Sequence, residues 1–313
     1  MMLNLSQVES LLITGANGFV GRAVVDSISE LKTTNLPKQI VLLTRSGINF
    51  QLPEKVSART KFVMHDLTKR WPFDLNPSHI INLAADGSRL PYSEEANSTF
   101  KSIGINLIEW VRCNGNKPKV FHASSGACFG YRPLTASQPI DNLKSAFIDT
   151  RIDVENLLIN ASESGAFDLA IGRLFTFSGR ILLEKNQYAI TEFIKSAIFY
   201  GKIQVKGNPN TVRSYMHQEA MAHWILKALI SPEPAFDLQI GSSEPVTIRE
   251  LGEYIARETD AEVEYAEVFQ GGDVYLPNNA TTKTKLGLGE GLHWKLAVQE
   301  MIDTVRMENE FKR

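Results

Sequence analysis

Residues 11–28 read LLITGANGFVGRAVVDSI, and this stretch decides the fold. An apolar, strand-like run ends at Thr14 and is followed at once by Gly15, Gly18 and Gly21, with an amphipathic helical pattern behind them. Gly15 permits a tight turn, and Gly18 lets a pyrophosphate approach the backbone. Gly21 lets helix and strand pack closely, and the helix N-terminus offers partial positive charge to an anion. Asn17, Phe19 and Val20 complete the loop as cofactor-contacting candidates. The competing reading is a glycine-rich turn in an unrelated α/β protein, from which the strand–turn–helix context separates it.

Moving outward, short β-branched runs recur at SLLITG, QIVLLTRS, KFVMHDL, HIINLAA, KVFHASS and DLAIGRLF. Helical patterns lie between them: Phe100, Ile103, Leu107, Ile108 and Val111 share one face, as do Val154, Leu157, Leu158 and Ala161 ahead of a stop at Gly165. Strands alternating with helices predict a doubly wound parallel sheet, the Rossmann fold, with right-handed crossovers. After Phe175 helical patterns dominate, and Thr247 with Glu250 forms a capping box. The expected division is a dinucleotide-binding domain over 1–176, with 213–242 packing back onto it. A smaller, mostly helical substrate lobe takes 177–212 and 243–313.

Composition narrows the function classes. The 313 residues are 43% hydrophobic with a net charge of −2, enough for a large core and without the basic field that nucleic acid requires. No apolar run is long enough to span a bilayer. Cys113 and Cys128 have neither metal spacing nor a disulfide framework. A cytoplasmic protein without metal, membrane or nucleic-acid partners is expected.

The second strand pattern ends at Thr44-Arg45-Ser46. An acidic side chain there would hydrogen-bond the ribose hydroxyls of NAD; Arg45 suits the 2′-phosphate of NADP(H), which is therefore expected over NAD(H). The alternative is an arginine that simply faces water. Asp66 and Leu67 end the third strand pattern, where the carboxylate either reaches an adenine or caps a helix.

In order along the chain, TGANGFVG, INLAAD, SSGACFG, RLFTFSGR, NTVRSYMHQEAMA, FDLQIGSSEPVTIRELGEYIA and TTKTKLGL resemble the motifs of the extended short-chain dehydrogenase/reductases, the NAD(P)-dependent epimerases and dehydratases that mostly modify nucleotide-linked sugars. The resemblance runs almost end to end. It implies that Leu83, Ala84 and Ala85 lie beside the nicotinamide ribose and that Ser125 holds the substrate oxygen undergoing oxidation or reduction. It implies that Arg213 grips a diphosphate, with Thr176 in place of an asparagine nearby; a structural arginine at a strand start is the other reading of Arg213. It further implies a possible homodimer built on two long helices, about 93–113 and 147–163, with Trp110 near the seam.

The family's Tyr-x-x-x-Lys motif falls on FIDTR, at 147–151, so Phe147 stands at the tyrosine position and Arg151 at the lysine position. None of the eight tyrosines has a lysine four residues later. Phe147 has no ionisable proton; Arg151 still donates to ribose hydroxyls but cannot act as acid or base. Ser125, Tyr131, Asp149, Cys128 and His122, or an ordered water, are the stand-in proton donors. Gly126-Ala127 replaces the acidic pair that family 4,6-dehydratases carry, which disfavours that chemistry. FQGGDVYLP keeps Gly272-Asp273 but lacks a preceding arginine. Two functions follow: an NADP-dependent oxidoreductase or epimerase on a nucleotide-linked sugar with an altered proton path, or a non-catalytic NAD(P)-binding protein with a regulatory or scaffold role.

Overall fold

The structure, a computed structural model, describes residues 3–85, 92–129, 132–133, 142–184, 188–267, 269, 271–289 and 291–310. Its centre is a seven-stranded sheet in the order Ala235–Ile240, Asp168–Leu174, Lys119–Ser125, His79–Asn82, Ser10–Thr14, Gln39–Thr44, Thr60–Met64. Every pairing in it is parallel. The chain starts at Ser10–Thr14, builds outward to Thr60–Met64, then returns to the other side of its first strand. That reversal opens a crevice at the carboxyl ends of Ser10–Thr14 and His79–Asn82, the place where such sheets bind ligands.

Both sheet faces are covered, as near-continuous apolar strands demand. Leu11 and Ile13 belong to one buried cluster with Val24 and Ile28 of the helix Phe19–Glu30 and Met221 and Ile225 of the helix Gln218–Leu229. Leu12, between them in sequence, faces the other way into a second cluster with Leu107 of the helix Glu94–Asn114 and Val154 and Leu158 of the helix Asn142–Glu163. The alternation of side chains along an extended backbone thus sorts one strand into two cores. A third cluster, with Ile194, Leu251, Ile255, Val298 and Ile302, holds helices of the C-terminal part together. There the helix Ile248–Thr259 starts on the complete Thr247–Glu250 capping box read in the sequence.

Two expectations need correction. The helix that carries Phe147 begins at Asn142, so Phe147 lies beyond its first turn rather than at its start. Trp110 is 1% exposed. Its indole lies 5.6 Å from that of Trp71, tilted by 40°, and its Nε1 donates to the Pro72 carbonyl at 2.7 Å; a ring this enclosed is core and is not at an exposed seam. Among the described residues no helix is long and apolar enough to cross a membrane.

Candidate functional site

The glycine loop is shaped by contacts that only glycine tolerates at two positions. Gly15 has φ +69°, in the left-handed region that side chains disfavour. A Cβ on Gly21 would sit 2.4 Å from the Gly15 carbonyl oxygen, so the helix can lie this close to the strand only without one. Gly18 caps the helix Phe19–Glu30 with no side-chain hydrogen bond, and the first turn holds no acid. The free amides and the positive end of that helix are therefore open to an anion. The contrast with the fully capped helix Ile248–Thr259 is physical: one start is closed by its own side chains, the other is not.

Behind the loop a polar line crosses three strands. The Thr14 hydroxyl accepts from the amides of Leu83 and Ala84, both at 3.1 Å, and donates to Asn82 Oδ1 at 2.8 Å. Asn82 Nδ2 in turn meets His122 Nδ1 at 3.0 Å. The segment 83–85 is thereby pinned to the glycine loop across the crevice. Asn17 ties the loop to the end of the second strand, its Nδ2 donating to the Gly47 carbonyl at 3.0 Å. Arg45 and Ser46 are exposed beside it. Asp66 is exposed too; its carboxylate accepts from the amide and hydroxyl of Thr68, at 3.0 and 2.8 Å, which hold it below the usual carboxylate range, and Arg45 adds to this at longer range. Asp66 thus caps a turn rather than a helix. Leu67 is buried.

Phe147 and Arg151 are one turn apart and in contact. The Arg151 guanidinium carbon lies 4.1 Å from the Phe147 ring centroid and 3.6 Å from that of Phe100, so the cation is enclosed between two aromatic faces. Among the described residues Arg151 makes no ion pair, and its Nη1 is buried without a partner. Burial pulls the guanidinium down from its ordinary range to about 10. His122 lies close by with Nε2 likewise unpartnered, and burial, reinforced by Arg151, pushes it down to about 3. His122 is neutral at every physiological pH and cannot donate as an imidazolium.

The other stand-ins are no better placed. Asp149 is exposed, with a hydrogen bond to Ser145 at 3.4 Å. Burial, with Glu155 adding, pushes the Cys128 thiol up to about 11. Tyr131 lies outside the described residues. Ser125 is half-buried at the carboxyl end of its strand, its hydroxyl accepting from the Ala127 amide at 3.2 Å. Next to it Glu155, 2% exposed, accepts from Ser124 at 2.5 Å and from two nitrogens of Arg173. That buried pair clamps the helix Asn142–Glu163 to the sheet one turn beyond Arg151.

A phenol that no local pattern marks also reaches this spot. Tyr275 follows the short strand Asp273–Val274 and donates its amide to the Val212 carbonyl at 3.1 Å. Its ring lies 4.8 Å from Phe175, in a cluster with Ala127 against which Phe147 and Ile148 pack. Its hydroxyl donates to the Leu174 carbonyl at 3.4 Å. Burial raises this phenol well above its ordinary value. Tyr92 meets Phe147 edge-on at 5.1 Å.

Phe175 also forms part of the wall of a cavity of about 440 Å³. Phe19, from the glycine-loop helix, stands at this cavity, as do Thr176, Lys206, Asn208 and Arg213. Arg213 is paired with Asp273, and Nη1 also donates to the Val212 carbonyl at 2.8 Å; the Thr176 hydroxyl donates to the Ser214 carbonyl. The structure therefore brings Thr176 and Arg213 to one cavity and Ser125, Phe147 and Tyr275 to a site that shares Phe175 with it. Among the described residues no group of three His, Cys, Asp or Glu side chains is placed to hold a metal.

Comparison with known proteins gives the same frame. The model of the NAD dependent epimerase/dehydratase family matches residues 11–241. No curated protein matches the sequence. Among solved structures, UDP-N-acetylglucosamine 4-epimerase from Methanobrevibacter ruminantium M1, in complex with UDP-N-acetylmuramic acid, superposes with a TM-score of 0.79 at 17% identity, covering 98% of this chain and 100% of that one. MoeE5, in complex with UDP-glucuronic acid and NAD, gives 0.74 at 20% identity over 96% and 99%. The NDP-hexosamine 5,6-dehydratase TunA of tunicamycin biosynthesis gives 0.75 at 16% identity over 94% and 96%.

Proposed function

The chain belongs to the NAD dependent epimerase/dehydratase family, and from that premise we propose that it is an NADP-dependent oxidoreductase or epimerase-like enzyme acting on a nucleotide-linked sugar, with Phe147 and Arg151 standing where a phenol and an ammonium are usual. The observation that carries this reading is the continuity of the site. The uncapped helix after Gly18 suits a pyrophosphate, and Phe19 of that same helix joins the wall of the cavity that holds Thr176 and Arg213. A dinucleotide on one side and a nucleoside diphosphate on the other would meet near Ser125.

The residues present fit such a cofactor. Gly15, Gly18 and Gly21 leave the space its phosphates need, and Asn17 and Val20 shape the loop around it. Arg45, exposed at the strand end with Ser46, would meet a 2′-phosphate; Asp66 and Leu67 would border the adenine, and Leu83, Ala84 and Ala85 the ribose. The buried, unpartnered Nη1 of Arg151 supplies a donor for a ribose hydroxyl. When bound, the nicotinamide would supply or accept the hydride; Ser125 would hold the reacting oxygen. Gly126 and Ala127 carry no proton-transfer group, so 4,6-dehydration of the kind that uses an acidic pair there is disfavoured. The structural likeness to a 5,6-dehydratase is one of fold.

A second reading, a dinucleotide-binding protein without turnover, is favoured by Phe147 alone, since loss of a general acid costs ~10²–10⁴ in rate. Calorimetry decides the cofactor: NADP(H) should bind more tightly than NAD(H), and Arg45→Asp should erase or invert the preference. In the same protein uridine or thymidine diphosphate should raise Tm through ligand linkage, and Arg213→Ala should remove that shift alone. Equal affinity for the two dinucleotides in the unmodified protein would end the Arg45 argument.

A further inference from the structure

We propose that the ion pair of Glu192 with Lys206 reads the base of the nucleotide-linked substrate and selects guanine. The inference rests on the nucleotide-sugar reading above, and both residues line the cavity that holds Thr176 and Arg213. On one side of that cavity Phe175 and Arg213 both neighbour Tyr275. The Phe175 ring lies 4.8 Å from the Tyr275 ring, and the Arg213 guanidinium carbon 5.8 Å from it. This is the side toward Ser125, because Ala127 packs with Phe175 and Tyr275 and donates its amide to the Ser125 hydroxyl at 3.2 Å. A sugar at Ser125 and a diphosphate on Arg213 therefore send the base to the other wall. The start of the helix Ala189–Tyr200 and the end of the strand Lys202–Val205 form that wall.

Local structure brings the two charges together there. Ile203 and Val205 are buried in the C-terminal cluster, and alternation along the strand leaves Gln204 and Lys206 exposed. Glu192 stands one helical turn beyond Tyr188, the N-cap residue, whose carbonyl accepts the Glu192 amide at 2.9 Å. Tyr188 is exposed at the cavity and offers a ring on which a base can stack. The Glu192 carboxylate accepts from Lys206 Nζ at 3.0 Å. With side chains 47% and 72% exposed, the pair adds little to folding and is open to a ligand.

The order of donors and acceptors decides the base. Side by side, the carboxylate and the ammonium present acceptor, acceptor, donor. The Watson–Crick edge of guanine presents the complement: the N2 and N1 hydrogens, then the O6 acceptor. Uracil and thymine present acceptor, donor, acceptor, so one of their carbonyl oxygens meets a carboxylate oxygen. Adenine and cytosine bring a single donor and leave one carboxylate oxygen unpaired. Guanine satisfies all three groups, and each bond is charge-assisted. Uridine and thymidine diphosphates keep the Arg213 contact and bind through it, less tightly.

The test is calorimetry on the full chain with guanosine, inosine, uridine and adenosine diphosphates. Guanosine diphosphate should bind ~10–100-fold more tightly than uridine diphosphate. Inosine diphosphate, which lacks only the N2 amino group, should fall between them. Glu192→Gln turns one acceptor into a donor; it should erase the guanine preference and leave uridine diphosphate binding unchanged. Lys206→Met, which removes the partner of O6, should weaken the guanosine and inosine compounds alike. Unchanged Tm without ligand in both variants shows that the fold is intact. Uridine diphosphate binding as tightly as guanosine diphosphate overturns guanine selection and leaves the nucleotide-sugar reading standing. Equal binding of the inosine and guanosine compounds, or a guanine preference that survives Glu192→Gln, overturns the role of the carboxylate. Binding of no nucleoside diphosphate at all overturns the nucleotide-sugar reading, and the base assignment with it.

Discussion

Replacing Arg151 by methionine should make the ligand-free protein more stable and the dinucleotide complex weaker. The guanidinium is buried between Phe100 and Phe147 with no carboxylate partner among the described residues. Its fall from the ordinary arginine range to about 10, at ~1.4 kcal/mol per pH unit, means that the fold holds this cation against a penalty of about 3 kcal/mol. Two ring faces return ~0.5–2 kcal/mol each, ~1–4 together, which leaves a net cost near ~0.5 kcal/mol at the middle of that range. Methionine fills similar space, removes the charge and keeps sulfur–aromatic contact of ~0.3–1.5 kcal/mol. Thermal unfolding without ligand should then rise by roughly 2–4 °C for each kcal/mol recovered. The sign with pH follows from a basic group whose folded value is depressed to about 10: the penalty is complete below that pH and fades above it, so the advantage of the variant narrows above pH ~10. Loss of a charge-assisted hydrogen bond to the ribose, ~1.5–3 kcal/mol, should weaken dinucleotide binding by ~10–150-fold. A variant that melts several degrees lower and binds the dinucleotide unchanged would refute both halves, because Arg151 would then be a structural cation.

Two further outcomes follow from buried polar contacts. Thr14→Val removes the one hydroxyl that serves Leu83, Ala84 and Asn82. It should cost ~2–4 kcal/mol in chemical denaturation, since two amides and an acceptor lose their partner at once, and should weaken dinucleotide binding by loosening 83–85. Glu155→Ala leaves Arg173 without its carboxylate, 2.5 Å away in the unmodified protein, and should cost ~3–5 kcal/mol; a loss under 1 kcal/mol would mean that water reaches Arg173.

How much of this was legible in the sequence follows from distance along the chain. The glycine loop, the two faces of residues 11–13 and the Thr247–Glu250 cap are local patterns, and the structure repeats them because turn chemistry and side-chain alternation act over a few residues. The Phe147–Arg151 contact was legible as a one-turn spacing, but its burial was not. Phe100, which closes the other face of the guanidinium, comes from a helix separated from it by a strand. Trp110 was misjudged for a related reason: an indole in a helical pattern does not say whether its N–H finds a buried acceptor, and here the Pro72 carbonyl provides one. Tyr275 carried no signal at all. It lies 150 residues from Ser125 in sequence, and the pairings of Val274 with Val212 and with Arg132 bring it against Phe175 and Phe147.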